Sequence, residues 1–590
     1  MSRVTSQDLV MLPTTDSAQA RLDLVVKPMS RAISRELAMS SHIRNSKAPN
    51  AHKVRWPVPS GLKVENFRNR AQGFADAVVF DWLEFGFPIN HDPSVDFNTK
   101  IVKNHTGALE YPEAVDAYIA RELKYGALLG PFAVNPLDVP LAISPLNTVP
   151  KSDGVSRRII VDCKSSRVNL GIDKDTYLGE PFKLELPSVD RIVDCINVYG
   201  RGCLLFKRDL KRAYRQFPVD PADYNKLGFS WRGRIYIDKR LAMGLRSAAA
   251  CCQRSTTAVG YVFSKERNRQ VVVYLDDFNG VVPKDLDGAI ADFEALGRLL
   301  SDLGFEESLD KACFPSTSCI MLGIQFDTLK MVMKVTSDRL KEISCLTQLW
   351  LSKISCSLTE LQQLLGKLQF VCRCVRPGRI FLARLLNFLR TFNASNALVL
   401  NIPDQALKDI NWFHKFLPRF NGIHVVPASV WEDPDVTFAT DACLVGCGGV
   451  SGSRYFHTQF PGFILDQSLH ISELELLTVI IAIKLWSHLF KGRRISVFCD
   501  NEPSVLAINS GRIKNEFMQS ALRELAYITA LAQFELRAVH IQGVSNRIPD
   551  FLSRWSLHSK FQQLFFEETK DFQMVECTVD DALFEFSHVW

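Results

Sequence analysis

The sequence has no Cys-x-x-Cys pair among its 15 cysteines, no internal repeat, and no apolar core within its opening stretch, MSRVTSQDLVMLPTTDSAQ. The first absence argues against a zinc ribbon and a disulfide framework, so the cysteines read as reduced thiols. The last argues against a secretory leader. Nor is there an uninterrupted apolar run of about 18 residues, the length a membrane-spanning helix needs. The expectation is an intracellular protein, cytoplasmic or nuclear, with no membrane partner.

What is present is an ordinary globular composition: 47% hydrophobic, 23% charged, a net charge of +6. A chain of 590 residues is too long for one core, so roughly three to five structural units are expected. The charge is unevenly spread. Between Lys330 and Arg390 eleven basic residues meet only Asp338, Glu342 and Glu360, and such a patch suits a polyanion better than net charge suggests.

Periodicity divides the chain into segments. Residues 1–65 read as a loosely ordered arm and 66–135 as a helical lead-in closed by Gly130 and Pro131. Over 136–335 short β-branched runs (RRIIVDC, CLLFKRDL, RIYIDKRL, VVVYLDDF, CIMLGIQFD) alternate with helical stretches, an α+β pattern around an antiparallel sheet. Residues 336–430 are helical and basic. A second α/β unit spans 431–556, and 557–590 form an acidic tail.

The stretch VVVYLDDFNGVV sets Asp276 and Asp277 side by side between apolar runs. Adjacent carboxylates repel, and burying them is costly unless something offsets the charge. A divalent cation does so, magnesium preferring oxygen ligands and substrate phosphates. Asp209, at the end of CLLFKRDL, is placed to be a third ligand. Taken alone, an Asp-Asp pair followed by FNG reads sooner as a turn than as a metal site.

A second set is more dispersed. Asp441 ends a strand in TDACLVGCGG, whose small residues suit close approach of a nucleic-acid backbone. Glu475 opens ELLTVIIAI, Asp500 ends RISVFCD, and Asp550 follows HIQGVSNRIP. Individually these acids read as helix caps, turn residues or a solvated helix face.

In order and flanking sequence these motifs resemble a reverse transcriptase, most closely the polymerases of DIRS-type (tyrosine-recombinase) retrotransposons. SPLNTVPKSDGVSRRIIVDC resembles the fingers hairpin, while DLKRAY, AMGLRSAAACCQR and YLDD resemble the first three palm motifs. LGFEESLDKACF and MLGIQFD resemble the fourth and fifth, and LLGKLQFVCRCVRPGRIFLARLL a basic thumb or connection. The resemblance covers about residues 66–556. It implies a multidomain α+β fold: a right-hand polymerase of fingers, palm and thumb, followed by an α/β domain like ribonuclease H.

Residue by residue, the resemblance implies that Asp209, Asp276 and Asp277 are the catalytic metal ligands of polymerisation. It makes Asp441, Glu475, Asp500 and Asp550 those of ribonuclease H. Lys151, Arg158 and Lys311 would hold the triphosphate, Tyr214 would exclude a 2′-hydroxyl, and Gly244 would let backbone approach nucleotide and template. Lys367, Arg373, Arg376, Arg379 and Arg384 would meet nucleic-acid phosphates, a solvated helix face being the alternative. His540 is a candidate proton shuttle, although the loop glycine sits one place off the pattern. Arg212 and Arg215 stand where related sequences often carry Asp and an aromatic, and Ala249 where Pro is usual.

The implied cofactor is Mg2+, two ions per site, with Mn2+ as a substitute. The implied partners are an RNA template, a DNA primer, an RNA/DNA hybrid and deoxynucleoside triphosphates. Two other readings stand beside this one. One is an inactive or domesticated relic that binds nucleic acid. The other is the polymerase of a long-terminal-repeat or pararetroviral element, although no DTG or DSG protease motif and no HHCC integrase pattern occurs in the chain.

Overall fold

The computed structural model describes residues 55–151, 154–395, 398–417, 419, 423–424, 434–491, 493–532, 534–588 and 590. Nearly all of the expected N-terminal arm lies outside them. The chain divides into two compact units, Met1–Leu322 and Gly323–Trp590.

The first unit opens with helices α1 (Val64–Arg70), α2 (Val78–Phe85) and α3 (Pro112–Lys124). The lead-in does not close at Gly130 and Pro131 as expected. Those residues lie within strand β1 (Leu128–Phe132), whose pairing register is irregular between Leu129 and Phe132. Strands β2 (Ile143–Ser144), β3 (Leu146–Pro150) and β4 (Arg157–Val161) come next, β3 and β4 forming a separate antiparallel hairpin.

After the hairpin the chain forms α4 (Val189–Tyr199), β5 (Leu204–Asp209), β6 (Gly228–Trp231), β7 (Arg234–Asp238) and α5 (Ala248–Arg267). The unit is completed by β8 (Val271–Tyr274), β9 (Asp277–Val282), α6 (Leu286–Asp302) and β10 (Cys313–Ser316). One sheet has the order β1-β7-β6-β2, and the other, wholly antiparallel, β8-β9-β5-β10. Strand β5 reads LLFKRD and is buried at five of its six positions. That burial fits a central strand whose neighbours are β9 and β10, with α6 packed on its apolar face.

The second unit begins with the antiparallel pair β11 (Ile324–Asp327) and β12 (Val332–Val335), so the compact division falls before these strands rather than after residue 335. From Ser337 to Phe416 the chain forms four α-helices, α7 (Ser337–Leu351), α8 (Leu358–Val371), α9 (Ala383–Ser395) and α10 (Asp404–Phe416), with a 3-10 helix over Arg376–Leu382 between α8 and α9. A Ser357/Glu360 capping box starts α8, satisfying end donors that the helix itself leaves unpaired.

The α/β part contains β13 (Val436–Ala442), β14 (Gly446–Ser451), β15 (Arg454–Gln459), α11 (Ile471–Phe490) and β16 (Arg494–Cys499). It continues with α12 (Glu502–Ser510), α13 (Glu516–Leu531), β17 (Glu535–His540), α14 (Arg547–Ser553), α15 (Ser559–Glu568) and β18 (Val575–Glu576). The sheet order is β17-β16-β13-β14-β15-β18. Helix α11 is buried without a break from Leu474 to Ile483, as a helix apolar on every side must be.

Residues 557–590 are not a separate acidic tail. Strand β18 extends the sheet beside β15, and Phe584 lies in the main core of the α/β part. The Trp590 indole and the Ser587 amide and hydroxyl donate to the buried Glu524 carboxylate at 2.8, 2.9 and 2.7 Å. Aromatic area and a buried acceptor that needs donors outweigh the repulsion among this segment's acids.

Candidate active sites

The first site is built by strand register. Asp209 is the last residue of β5 and Asp277 the first of β9, and the two are direct cross-strand partners. Tyr274 pairs with Asp277, leaving Leu275 and Asp276 as a two-residue connection. Asp276 is therefore a turn residue, and its carbonyl accepts from the Leu210 amide at 2.9 Å.

This turn puts Leu275 at φ +52°, a left-handed conformation that costs a residue with a Cβ about 1–2 kcal/mol. Gln253 of α5 compensates: its Oε1 accepts from the Leu275 amide at 2.7 Å and its Nε2 donates to the Val273 carbonyl at 2.9 Å. Nothing in the local sequence around YLDD pointed to Gln253.

The site carries more negative charge than its partners neutralise. Lys207 Nζ lies 2.9 Å from Asp277 Oδ1, and Lys311 Nζ 2.9 Å from Asp209 Oδ1. Even so, burial and then the charge of Asp209 push the Asp276 carboxyl up. Burial and a hydrogen bond to Asp209 push Asp277 up to about 7, Lys207 acting against them. Lys207 escaped notice in the sequence, although its place two residues before Asp209 on one strand puts both side chains on one face.

The other residues singled out fall around this cluster. Tyr214 lies on a 3-10 helix, Ala213–Gln216, and is half-buried. Burial, with Cys252 and Asp276 beside it, pushes its hydroxyl upward, while Arg158 acts in the opposite sense. Arg158 pairs with Val149 across the β3–β4 hairpin, and Lys151 lies just past the end of β3, its amide bonded to the Ser156 carbonyl at 2.9 Å. Both side chains are exposed.

Gly244 does make a close approach, but the partner is protein. At φ +110° a Cβ there would lie 2.0 Å from the Val161 carbonyl oxygen, so this glycine seats its loop against β4.

The second site gathers four acids from four elements at one end of a sheet. Asp441 on β13 and Glu475 on α11 are 5% and 4% exposed, while Asp500 directly follows β16 and Asp550 lies on α14. Glu475 Oε1 accepts from the Ala442 amide at 3.2 Å, and Ser553 Oγ donates to Asp441 Oδ2 at 2.5 Å. Burial, with Asp500 and Asp550 adding to it and Ser553 opposing it, pushes Asp441 up to about 7. Burial and the charges of Asp441 and Asp500 push Glu475 well up. Asp550 is raised by burial, partly offset by Arg554 at 2.7 Å.

One thiol joins this set unforeseen. Ligand atoms of Glu475, Cys499 and Asp500 lie within 4.8 Å of one another.

The small residues after Asp441 serve a different purpose from the one expected. A Cβ on Gly448 would stand 2.4 Å from Leu552 Cβ, and one on Gly446 3.0 Å from the Ser553 carbonyl oxygen. They admit α14, the helix that carries Asp550, rather than a nucleic-acid backbone. His540 lies beside the site through main chain only, its Nε2 being 3.2 Å from the Asp500 carbonyl oxygen.

Two of the five expected phosphate contacts are engaged elsewhere. Arg384 is committed to Asp409, a carboxylate with 0% exposure that also pairs with the buried Arg523. It is a structural ion pair rather than a free cation. Lys367 pairs with Glu342 at 2.7 Å. Arg379 is exposed and Arg373 half-buried, and the Arg376 side chain lies outside those described. Among the described residues no helix is long and apolar enough to cross a membrane.

No protein-family model matches the chain. It is 23% identical over 433 residues to the retrovirus-related Pol polyprotein from transposon 297 of Drosophila melanogaster, covering 72% of this chain and 38% of that one. Protein P of duck hepatitis B virus (strain China) is 29% identical over 141 residues, 23% of this chain and 17% of that protein. The chain thus spans well under half the length of either relative. Among solved structures, a foamy viral protease-reverse transcriptase dRH in complex with double-stranded DNA aligns with a TM-score of 0.45 and 16% identity over 84% of both chains. The chain is thus similar to a retrovirus-related Pol polyprotein and, over a shorter stretch, to a duck hepatitis B virus protein P.

Proposed function

We propose that the chain is an RNA-directed DNA polymerase with a ribonuclease H activity, encoded by a retrotransposon. The observation that carries this reading is the β5–β9 register. It sets Asp209 opposite Asp277 with Asp276 at the adjoining turn, and burial and mutual repulsion raise two of the three carboxyls. An all-oxygen donor set with unneutralised charge fits a hard divalent cation, Mg2+ or Mn2+. Asp209, Asp276 and Asp277 would hold it here, and Asp441, Glu475, Asp500 and Asp550 at the second site. When bound, two such ions lower the pKa of an attacking hydroxyl or water and neutralise charge on the leaving oxygen.

The remaining residues fit roles around that chemistry. Lys151, Arg158 and Lys311 supply cations for the triphosphate of an incoming deoxynucleotide. Tyr214, whose hydroxyl is influenced by the charge of Asp276, would exclude a 2′-hydroxyl with its ring. Arg373 and Arg379 remain as cations for the phosphates of template, primer or RNA/DNA hybrid. Residues 136–335 would form fingers and palm, 336–430 thumb or connection, and 431–556 the ribonuclease H domain, to which 557–590 add an edge strand.

Primer extension on an RNA template with metal titration tests the first activity, and cleavage of a labelled hybrid the second. Asp276→Asn is expected to abolish extension and spare cleavage. Loss of both, or of neither, counts against two separate sites. Hybrid binding without either product would favour the inactive relic, against which stands the retention of all seven acids.

The detail of the motifs, which looks most like the DIRS-type group, supports a DIRS-type element. Similarity to a retrovirus-related Pol polyprotein and to a duck hepatitis B virus protein P supports a second reading, a long-terminal-repeat or pararetroviral element. The genomic flanks discriminate, a tyrosine recombinase frame being expected only beside the first.

A further inference from the structure

The segment DLKRAYRQ departs from the pattern it resembles at Arg212 and Arg215, and the fold uses both. Arg212, at φ +53°, opens the 3-10 helix that carries Tyr214. Its guanidinium lies 3.6 Å from the Tyr125 ring centroid and donates to Glu122 at 3.2 Å and Glu306 at 3.3 Å. Arg215 donates from Nε to Glu122 at 3.0 Å and from Nη1 to Asp238 at 2.6 Å. Arg121 reaches the same Glu122 at 3.1 Å.

Three guanidiniums therefore face three carboxylates. Glu122 and Asp238 are 0% and 1% exposed, and Arg215 8%. Burial favours the neutral form of Glu122, but Arg215 and Arg212 reverse this and hold its carboxyl below the ordinary value. Gln216 closes the turn, bonding the Lys211 carbonyl at 2.7 Å and both the amide and the carbonyl of Glu306 at 2.8 and 2.9 Å.

The residues on either side of Tyr214 are thus tied to α3, to β7 and to the loop after α6. Tyr214 itself packs against the core of the first unit, near enough to Asp276 and Arg158 for their charges to act on its hydroxyl. A ring that excludes one hydroxyl does so only if it cannot retreat by about 1 Å, and a displacement of that size is worth about 100-fold in rate at a reacting centre. Local propensity does not fix a short 3-10 turn that tightly.

We infer that Glu122 and Asp238, acting through Arg212 and Arg215, are positioning residues that fix the 3-10 turn carrying Tyr214 and so sharpen the choice of nucleotide sugar. This rests on the polymerase reading and deepens it.

Single-nucleotide insertion of matched ribo- and deoxyribonucleoside triphosphates tests the inference in the full chain. The readout is the ratio of the two kcat/KM values, which loss of folded enzyme leaves unchanged because it lowers both. Tyr214→Ala should raise ribonucleotide use most. Glu122→Gln should raise the ratio by about tenfold, a tenth of what a full 1 Å displacement commands. Arg212→Lys keeps the charge but loses the fork, so it should move the ratio the same way by less. It carries the test should Glu122→Gln fail to fold.

A ratio at the wild-type value in Glu122→Gln or Arg212→Lys, with Tyr214→Ala raised, overturns the positioning role. An unmoved ratio in Tyr214→Ala overturns it by removing the gate. A wild-type chain that extends no primer overturns the polymerase reading itself.

Discussion

Asp277→Asn keeps the size of the side chain and removes a charge that the metal-free fold accommodates poorly. The Asp277 carboxyl titrates at about 7 in the fold, against 3.8 for an unperturbed aspartate. Because the folded value is the higher one, the stability this group contributes is full below about pH 4 and is lost as pH rises to about 7. At 1.36 kcal/mol per unit, roughly three units amount to about 4 kcal/mol as an upper bound. The substitution also strips Lys207, 18% exposed, of its counter-charge, which costs on the order of 1–3 kcal/mol.

The net expectation is a metal-free protein about 1–3 kcal/mol more stable near pH 8, a rise in apparent Tm of roughly 2–6 °C. Thermal unfolding in a chelator, monitored near pH 5 and near pH 8, reads this directly. The advantage of the variant over wild type should grow with pH by about 2 kcal/mol across that interval. Added Mg2+ should stabilise wild type more than the variant, since ligand binding to the native state raises stability by mass action. A variant that melts below wild type near pH 8 in chelator, or an advantage that does not change with pH, would refute the electrostatic account of the site.

Gly448→Val drives a side chain into Leu552 and Ser553, and the overpacking should cost about 1–3 kcal/mol. By shifting the helix that carries Asp550 it should lower hybrid cleavage while leaving primer extension, and unchanged cleavage speaks against the seating role. Gln253→Leu leaves the Leu275 amide and Val273 carbonyl without their partner. A loss of about 1–3 kcal/mol with weaker Mg2+-dependent stabilisation is expected, and melting curves with and without metal decide it. Glu524→Ala removes the acceptor of Ser587 and Trp590 and leaves Lys484 without its ion pair at 2.9 Å. It should cost about 3–5 kcal/mol and speed hydrogen exchange in residues 575–590, whereas unchanged exchange would show that this segment is held by apolar contacts alone.

Some of this protein was legible residue by residue. The β-branched runs became β4, β5, β7, β8 and β9 because alternation and apolar clustering are local properties that burial only reinforces. Asp209 and Asp441 were marked by standing where a strand ends, and Asp276 by the turn chemistry around it. What the sequence could not disclose depends on which distant residues meet. The cross-strand pairing of Asp209 with Asp277, the grip of Gln253 on the turn and the engagement of Arg384 by Asp409 are contacts between elements far apart in the chain. So is the docking of 575–590. Their free energy arises from register, exclusion of water and charge balance within a shared interior. No window of neighbouring residues encodes these, and so tertiary structure alone decided whether an acid became a site member, an arginine a buried counter-ion, or a glycine the seat of a helix.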